Sequence, residues 1–101
     1  TNQFIIPNNS AALLNVAVFG WDGTDYYTVD TTNSLIIRGA NAASTVYQAG
    51  YYQFAPSSGA STWSVAFDAD TTNGGLKITV TGQAGKTIRW VARIMSTEVT
   101  F

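Results

Sequence analysis

The 101 residues contain no cysteine and no histidine. Without cysteine there are no disulfides or thiolate metal sites, and nothing in the chain records a redox compartment. Without histidine, Ser-His-Asp and Cys-His activation of a nucleophile is excluded, as are the usual zinc sites. Charge is scarce: Asp, Glu, Lys and Arg make up 11% of the chain, against 46% hydrophobic residues, where an average soluble domain carries about 25% charged residues. With so few charges, something must limit exposed apolar surface, and burial between subunits is one way to do so. A net charge of −1 leaves no basic footprint for nucleic acid. No apolar run approaches the roughly 20 residues of a membrane-spanning helix, and no charged segment followed by an apolar core opens the chain as a signal peptide would. The first residue is Thr1 rather than Met, which suggests a domain cut from a longer parent.

What is present is a run of short apolar segments, alternating with period two and interrupted about every ten residues by Gly, Asn, Asp and Ser. Such spacing predicts one all-β domain over residues 1–101, an antiparallel sandwich of about eight strands. The expected strands are Gln3–Ile6, Leu13–Phe19, Tyr26–Val29, Leu35–Arg38, Thr45–Phe54 with a break at Gly50, Thr62–Phe67, Leu76–Thr81 and Thr87–Val99. Thr, Val, Ile and the aromatics crowd these segments, and their stiff or flat side chains suit a pleated surface. Asp22-Gly23 is a hairpin signal, because Gly accepts the positive φ of a tight turn. Ala40–Thr45 has room for a single helical turn.

Phase assigns faces. Leu76, Ile78 and Val80 oppose Lys77, Thr79 and Thr81, and Trp63, Val65 and Phe67 oppose Thr62, Ser64 and Ala66, as in strands with one wet face. The last strand is different. Ile88, Trp90, Ala92 and Ile94 form an inward row, but the opposite row is Arg89, Val91, Arg93 and Met95, neither wholly polar nor wholly apolar. One reading makes Arg89 and Arg93 solvated side chains with their stems over neighbours. The other places the row in a subunit interface, where arginine's planar head suits paired, partly dry positions.

Other chemistry is thin. Every Asp falls where a turn is expected, which suits its side chain, so a carboxylate pair for glycoside hydrolysis is not expected, and neither is catalysis. Asp68 to Gly74 has the look of a calcium loop, but the sixth and twelfth positions are Asn73 and Thr79 where Gly and Glu belong; it reads as a polar turn. No cofactor or metal is expected. The aromatics are the better ligand contacts: Trp21 and Tyr26 flank Asp22 and Asp25, and a flat ring beside a carboxylate suits a saccharide. The same rings also suit plain packing.

The closing stretch, Leu76-Lys77-Ile78-Thr79-Val80-Thr81-Gly82, Ala84-Gly85-Lys86 and Thr87-Ile88-Arg89-Trp90-Val91-Ala92-Arg93-Ile94 with Thr97-Glu98-Val99, resembles the end of bacteriophage tailspike and tail-fibre proteins. The resemblance covers about the last 30 residues and carries no catalytic motif. It implies a C-terminal β-sandwich, often jelly-roll-like, at the tip of a homotrimeric fibre in the virion tail. There it would drive trimerisation and contact host-surface polysaccharide, outside the cell. A secreted carbohydrate-binding module acting alone, and a capsid or decoration domain, are the alternatives.

Overall fold

The computed structural model describes residues 3–101. It has eight strands: β1 (Gln3–Ile5), β2 (Ser10–Trp21), β3 (Tyr26–Arg38), β4 (Val46–Gln48), β5 (Tyr51–Pro56), β6 (Ser64–Asp70), β7 (Gly75–Thr81) and β8 (Arg89–Thr100). Single 3₁₀ turns occupy Ala42–Ser44 and Ser58–Ala60; the first lies where one helical turn was expected. All pairing is antiparallel. The three-stranded sheet has the order β1-β7-β6; the five-stranded sheet runs β4-β3-β2-β8, with β5 also on β3. The expected antiparallel sandwich is therefore present. The β1–β7 and β2–β8 pairs bring early and late strands together within each sheet, while β2–β3 and β6–β7 pair as hairpins.

Alternation builds the core. From the five-stranded sheet, Ala12, Leu14, Val16, Val18, Tyr27, Val29 and Ile36 point inward; Trp63, Val65 and Leu76 meet them from the other side, and Ile6 and Ala60 belong to the same buried cluster. Full burial of a side chain the size of Leu14 or Ile36 contributes roughly 1.5–3 kcal/mol. Trp90 and Ile94 pack against this cluster from β8. Trp90 sits edge-on to Trp63 at 6.1 Å and to Tyr27 at 6.3 Å.

Two expectations are corrected. Tyr26–Val29 and Leu35–Arg38 are not separate strands but the two halves of β3. Asp30 to Ser34 reads as a polar break, yet Thr31 and Ser34 turn inward and are buried. The ladder absorbs the surplus as a bulge: Leu14 pairs with Ser34 and Val16 with Thr31, so Thr32 and Asn33 together face Asn15. Asn33 takes a left-handed φ of 58°, which Asn tolerates better than most residues, and its N–H donates to Asn15 Oδ1. The bulge splits the partner edge as well. β4 pairs with one half of β3, β5 with the other, and Gly50 between them fits against the carbonyls of Thr32 and Asn33 so closely that a Cβ would lie 2.1 Å from the first.

The second correction concerns β8. Its inward row was expected to be sealed by the core, but Ala92 is exposed, and beyond Ile94 the row continues as exposed Ser96, Glu98 and Thr100. The reason is that β8 is an edge strand of the wider sheet. Only its first half reaches over the core cluster.

Candidate functional site

The outer face of the five-stranded sheet gathers most of the residues singled out in the sequence. Antiparallel register sets them in rows. Arg89, Trp21 and Tyr26 are neighbours across three strands, then Val91, Phe19 and Thr28, then Arg93, Ala17 and Asp30, with Met95 beside Asn15. Toward the other end come Thr97, Leu13 and Leu35, then Val99, Ala11 and Ile37. Leu13, Phe19, Trp21, Ile37, Val91, Met95 and Val99 are all exposed. Both β2 and β8 thus carry apolar side chains on two faces, the pattern of strands covered on both sides.

Of the expected interface residues, Arg89, Val91, Arg93 and Met95 all lie in this face, with Val91 63% exposed in the single chain. Among the described residues neither arginine has an acidic partner within ion-pair distance; the ion pair recorded is Lys86–Asp22 at 3.7 Å. Ala17, the small residue of its row, floors a groove of about 850 Å³ walled by Phe19, Val91 and Arg93 on one side and by Asp30 and Gln53 on the other. Arg93 and Asp30 stand two strands apart, about 10 Å at the backbone.

Of the expected saccharide contacts, Trp21 and Tyr26 are cross-strand neighbours and about half exposed, so their rings are available together. The two carboxylates between them are engaged within the protein. Asp22 Oδ1 accepts from the backbone N–H groups of Thr24 and Asp25 at 2.9 and 2.7 Å. These bonds, with Lys86 nearby, hold its pKa below the usual Asp value. Asp25 Oδ1 accepts from Ser57 Oγ, whose oxygen in turn accepts from the Tyr26 N–H. Asp22 and Asp25 therefore build the β2–β3 hairpin turn and anchor the chain after β5 to it.

The calcium-like loop is a turn, as read. Asp70 Oδ1 accepts from the N–H groups of Thr72 and Asn73, and Oδ2 from Asn73 Nδ2; Asn73 first, then the backbone donors, lowers its pKa. Among the described residues no group of three or more acidic side chains converges on one point.

Sequence reasoning missed Phe19, Asp30, Gln53 and Leu13. For Phe19 and Leu13 the signal was the run of β2 from Ala11 to Phe19, apolar except for Asn15, which announces a second apolar face just as β8 does. Compared with models of protein families, with curated proteins and with solved structures, the chain matches none.

Proposed function

We propose that this chain is a non-enzymatic assembly module of a bacteriophage tailspike or tail fibre, trimerising through the outer face of its larger sheet and contacting host-surface polysaccharide. The observation that carries the reading is β8. It is a 12-residue edge in continuous register with β2, and it contains no proline or bulge to discourage pairing with another chain. Its exposed Val91, Met95 and Val99 extend the apolar surface of β2. Three copies about an axis cover such an edge and face together. The groove adds polarity to the fit. In a head-to-tail contact the Arg93 of one copy can meet the Asp30 of the next, a pair that the single chain leaves two strands apart. The resemblance of the last 30 residues to tailspike ends supports the virion-tail setting.

Light scattering after size exclusion tests the assembly. A mass three times that of the chain is expected at micromolar concentration. The double variant Val91→Glu/Met95→Glu is expected to elute as a folded monomer, since both side chains are exposed in the single chain, with a thermal midpoint lowered only by the loss of the contact between copies. A wild-type monomer sinks the trimer. In that event the exposed Trp21–Tyr26 pair favours the second reading, a carbohydrate-binding module that acts alone.

A further inference from the structure

The row of Arg89, Trp21 and Tyr26 ends the outer face of the five-stranded sheet at the β2–β3 hairpin. Residues paired directly across neighbouring strands put their side chains on one face, with Cβ atoms about 4.5–5.5 Å apart. Trp21 therefore stands between Arg89 and Tyr26, and all three are exposed. Among the described residues the Arg89 side chain has neither a hydrogen bond nor an ion pair.

The acids beside this row are taken up by the fold. The side chain of Asp22 is only 6% exposed, its Oδ1 occupied by the N–H groups of Thr24 and Asp25. Asp25 accepts from Ser57 Oγ, and Gly59 packs so close to its carboxylate that a Cβ there would strike it. The accessible charge at this end is therefore positive: Arg89, with Lys86, whose side chain stays 40% exposed beside Asp22. Asp30, the next acid on the face, is four residues further along β3 than Tyr26, about 14 Å at the backbone. That exceeds the screening length of about 8 Å at physiological salt, so Asp30 does not cancel the positive end.

A free guanidinium can take a planar carboxylate through two parallel hydrogen bonds, and exposed aromatic faces suit the C–H face of a pyranose. A neutral sugar meets the rings and leaves the guanidinium unused, whereas a pyranose that bears a carboxylate engages both. We propose that this row binds an acidic pyranose unit, its ring on Trp21 and flanked by Tyr26, its carboxylate on Arg89 with Lys86 in support. The inference rests on the glycan-contact reading above and names the class of saccharide. Arg89 lies about 20 Å along β8 from Met95, which leaves the row at the rim of the contact between copies.

Chemical-shift titration of the folded protein tests it, following the indole N–H of Trp21 and the amides of Tyr26 and Arg89. The probes, at millimolar concentration, are two pyranosides that differ only in the exocyclic group: a carboxylate in methyl glucuronide, a hydroxymethyl in methyl glucoside. Sodium acetate supplies the carboxylate without the ring. The glucuronide is expected to shift all three signals and to bind about tenfold more tightly than the glucoside at low salt, the gap closing as salt is added. Acetate is expected to leave the indole unmoved. Arg89→Gln, at an exposed position, is expected to bring the glucuronide down to the affinity of the glucoside and to leave the glucoside unchanged. The proposal is overturned if the two pyranosides bind this row equally, or if Arg89→Gln keeps the preference for the acid; either result leaves the glycan-contact reading in place. It is overturned too if acetate alone reproduces the shifts. If neither pyranoside shifts any residue, the glycan-contact reading falls with it.

Discussion

Arg38 ends β3 and reaches across to the other sheet. Its Nη1 lies 2.8 Å from the Ile6 carbonyl, 3.2 Å from that of Asn73 and 3.4 Å from that of Gly74, so one guanidinium serves the chain after β1 and the β6–β7 turn together. Gly74 makes room for it: the φ of this residue is 86°, and a Cβ there would sit 2.1 Å from the guanidinium. Asp70 shapes the same turn from inside. Replacing Arg38 by Met keeps the apolar stem and removes the donors, stranding partly buried carbonyls. Hydrogen bonds from a charged donor are worth about 1.5–3 kcal/mol, so Arg38→Met is expected to lose that much, seen as a lower urea midpoint with an unchanged slope. An unchanged midpoint would mean that the two sheets are held together by apolar packing alone.

At the scale of elements, the bulge of β3 is the feature on which most else depends. It bends one long strand so that two short ones can share its edge. Gly50 is tied to it by close approach rather than by an unusual φ. Gly50→Ala must push the backbone of Thr32 and Asn33 aside, and overpacking against backbone costs about 1–3 kcal/mol. A fall in thermal midpoint of several degrees is expected, with amide shifts concentrated at Asn15, Thr32 and Asn33. A shift pattern spread evenly over the sheet would show that the bulge is not the point of contact. Here too lies the limit of what sequence shows. The period-two rows of β6 and β7 were readable because each has one mainly polar face. β3 was not, since Asp30-Thr31-Thr32-Asn33-Ser34 has turn-forming composition, and only the pairing with β2 on one side and β5 on the other makes it strand. The turn roles of Asp22 and Asp25 were half visible: both were placed in a turn, but the backbone donors that occupy Asp22 come from the folded hairpin and leave no mark in residue order. Position at a sheet edge is likewise a matter of strand order, and for that reason the exposure of Ala92 could not be read from the alternation of the last strand.

For the whole molecule, the missing histidines and cysteines shape the response to pH. No side-chain type present here has an ordinary pKa between about 5 and 8. The carboxylates of Asp22 and Asp70 have folded pKa values below their ordinary one because turn N–H groups and Asn73 bond to the charged form. A depressed folded pKa contributes stability that is fully present above the unfolded value, about 3.9 for Asp, and is lost as pH falls through the folded value. The thermal midpoint and the oligomeric mass are therefore expected to stay flat from about pH 8 to pH 5, and the midpoint to fall below about pH 4 as the two turns lose their charged acceptors. Thermal scans at half-unit steps, with light scattering at each pH, check this. Asp22→Asn/Asp70→Asn is expected to start lower and to show a shallower acid slope, because two of the groups that titrate between folded and unfolded states are gone. A midpoint or mass transition between pH 5 and 8 would require a titrating group moved far from its ordinary value at the contact between copies, and the turn carboxylates would then not be what governs the acid response.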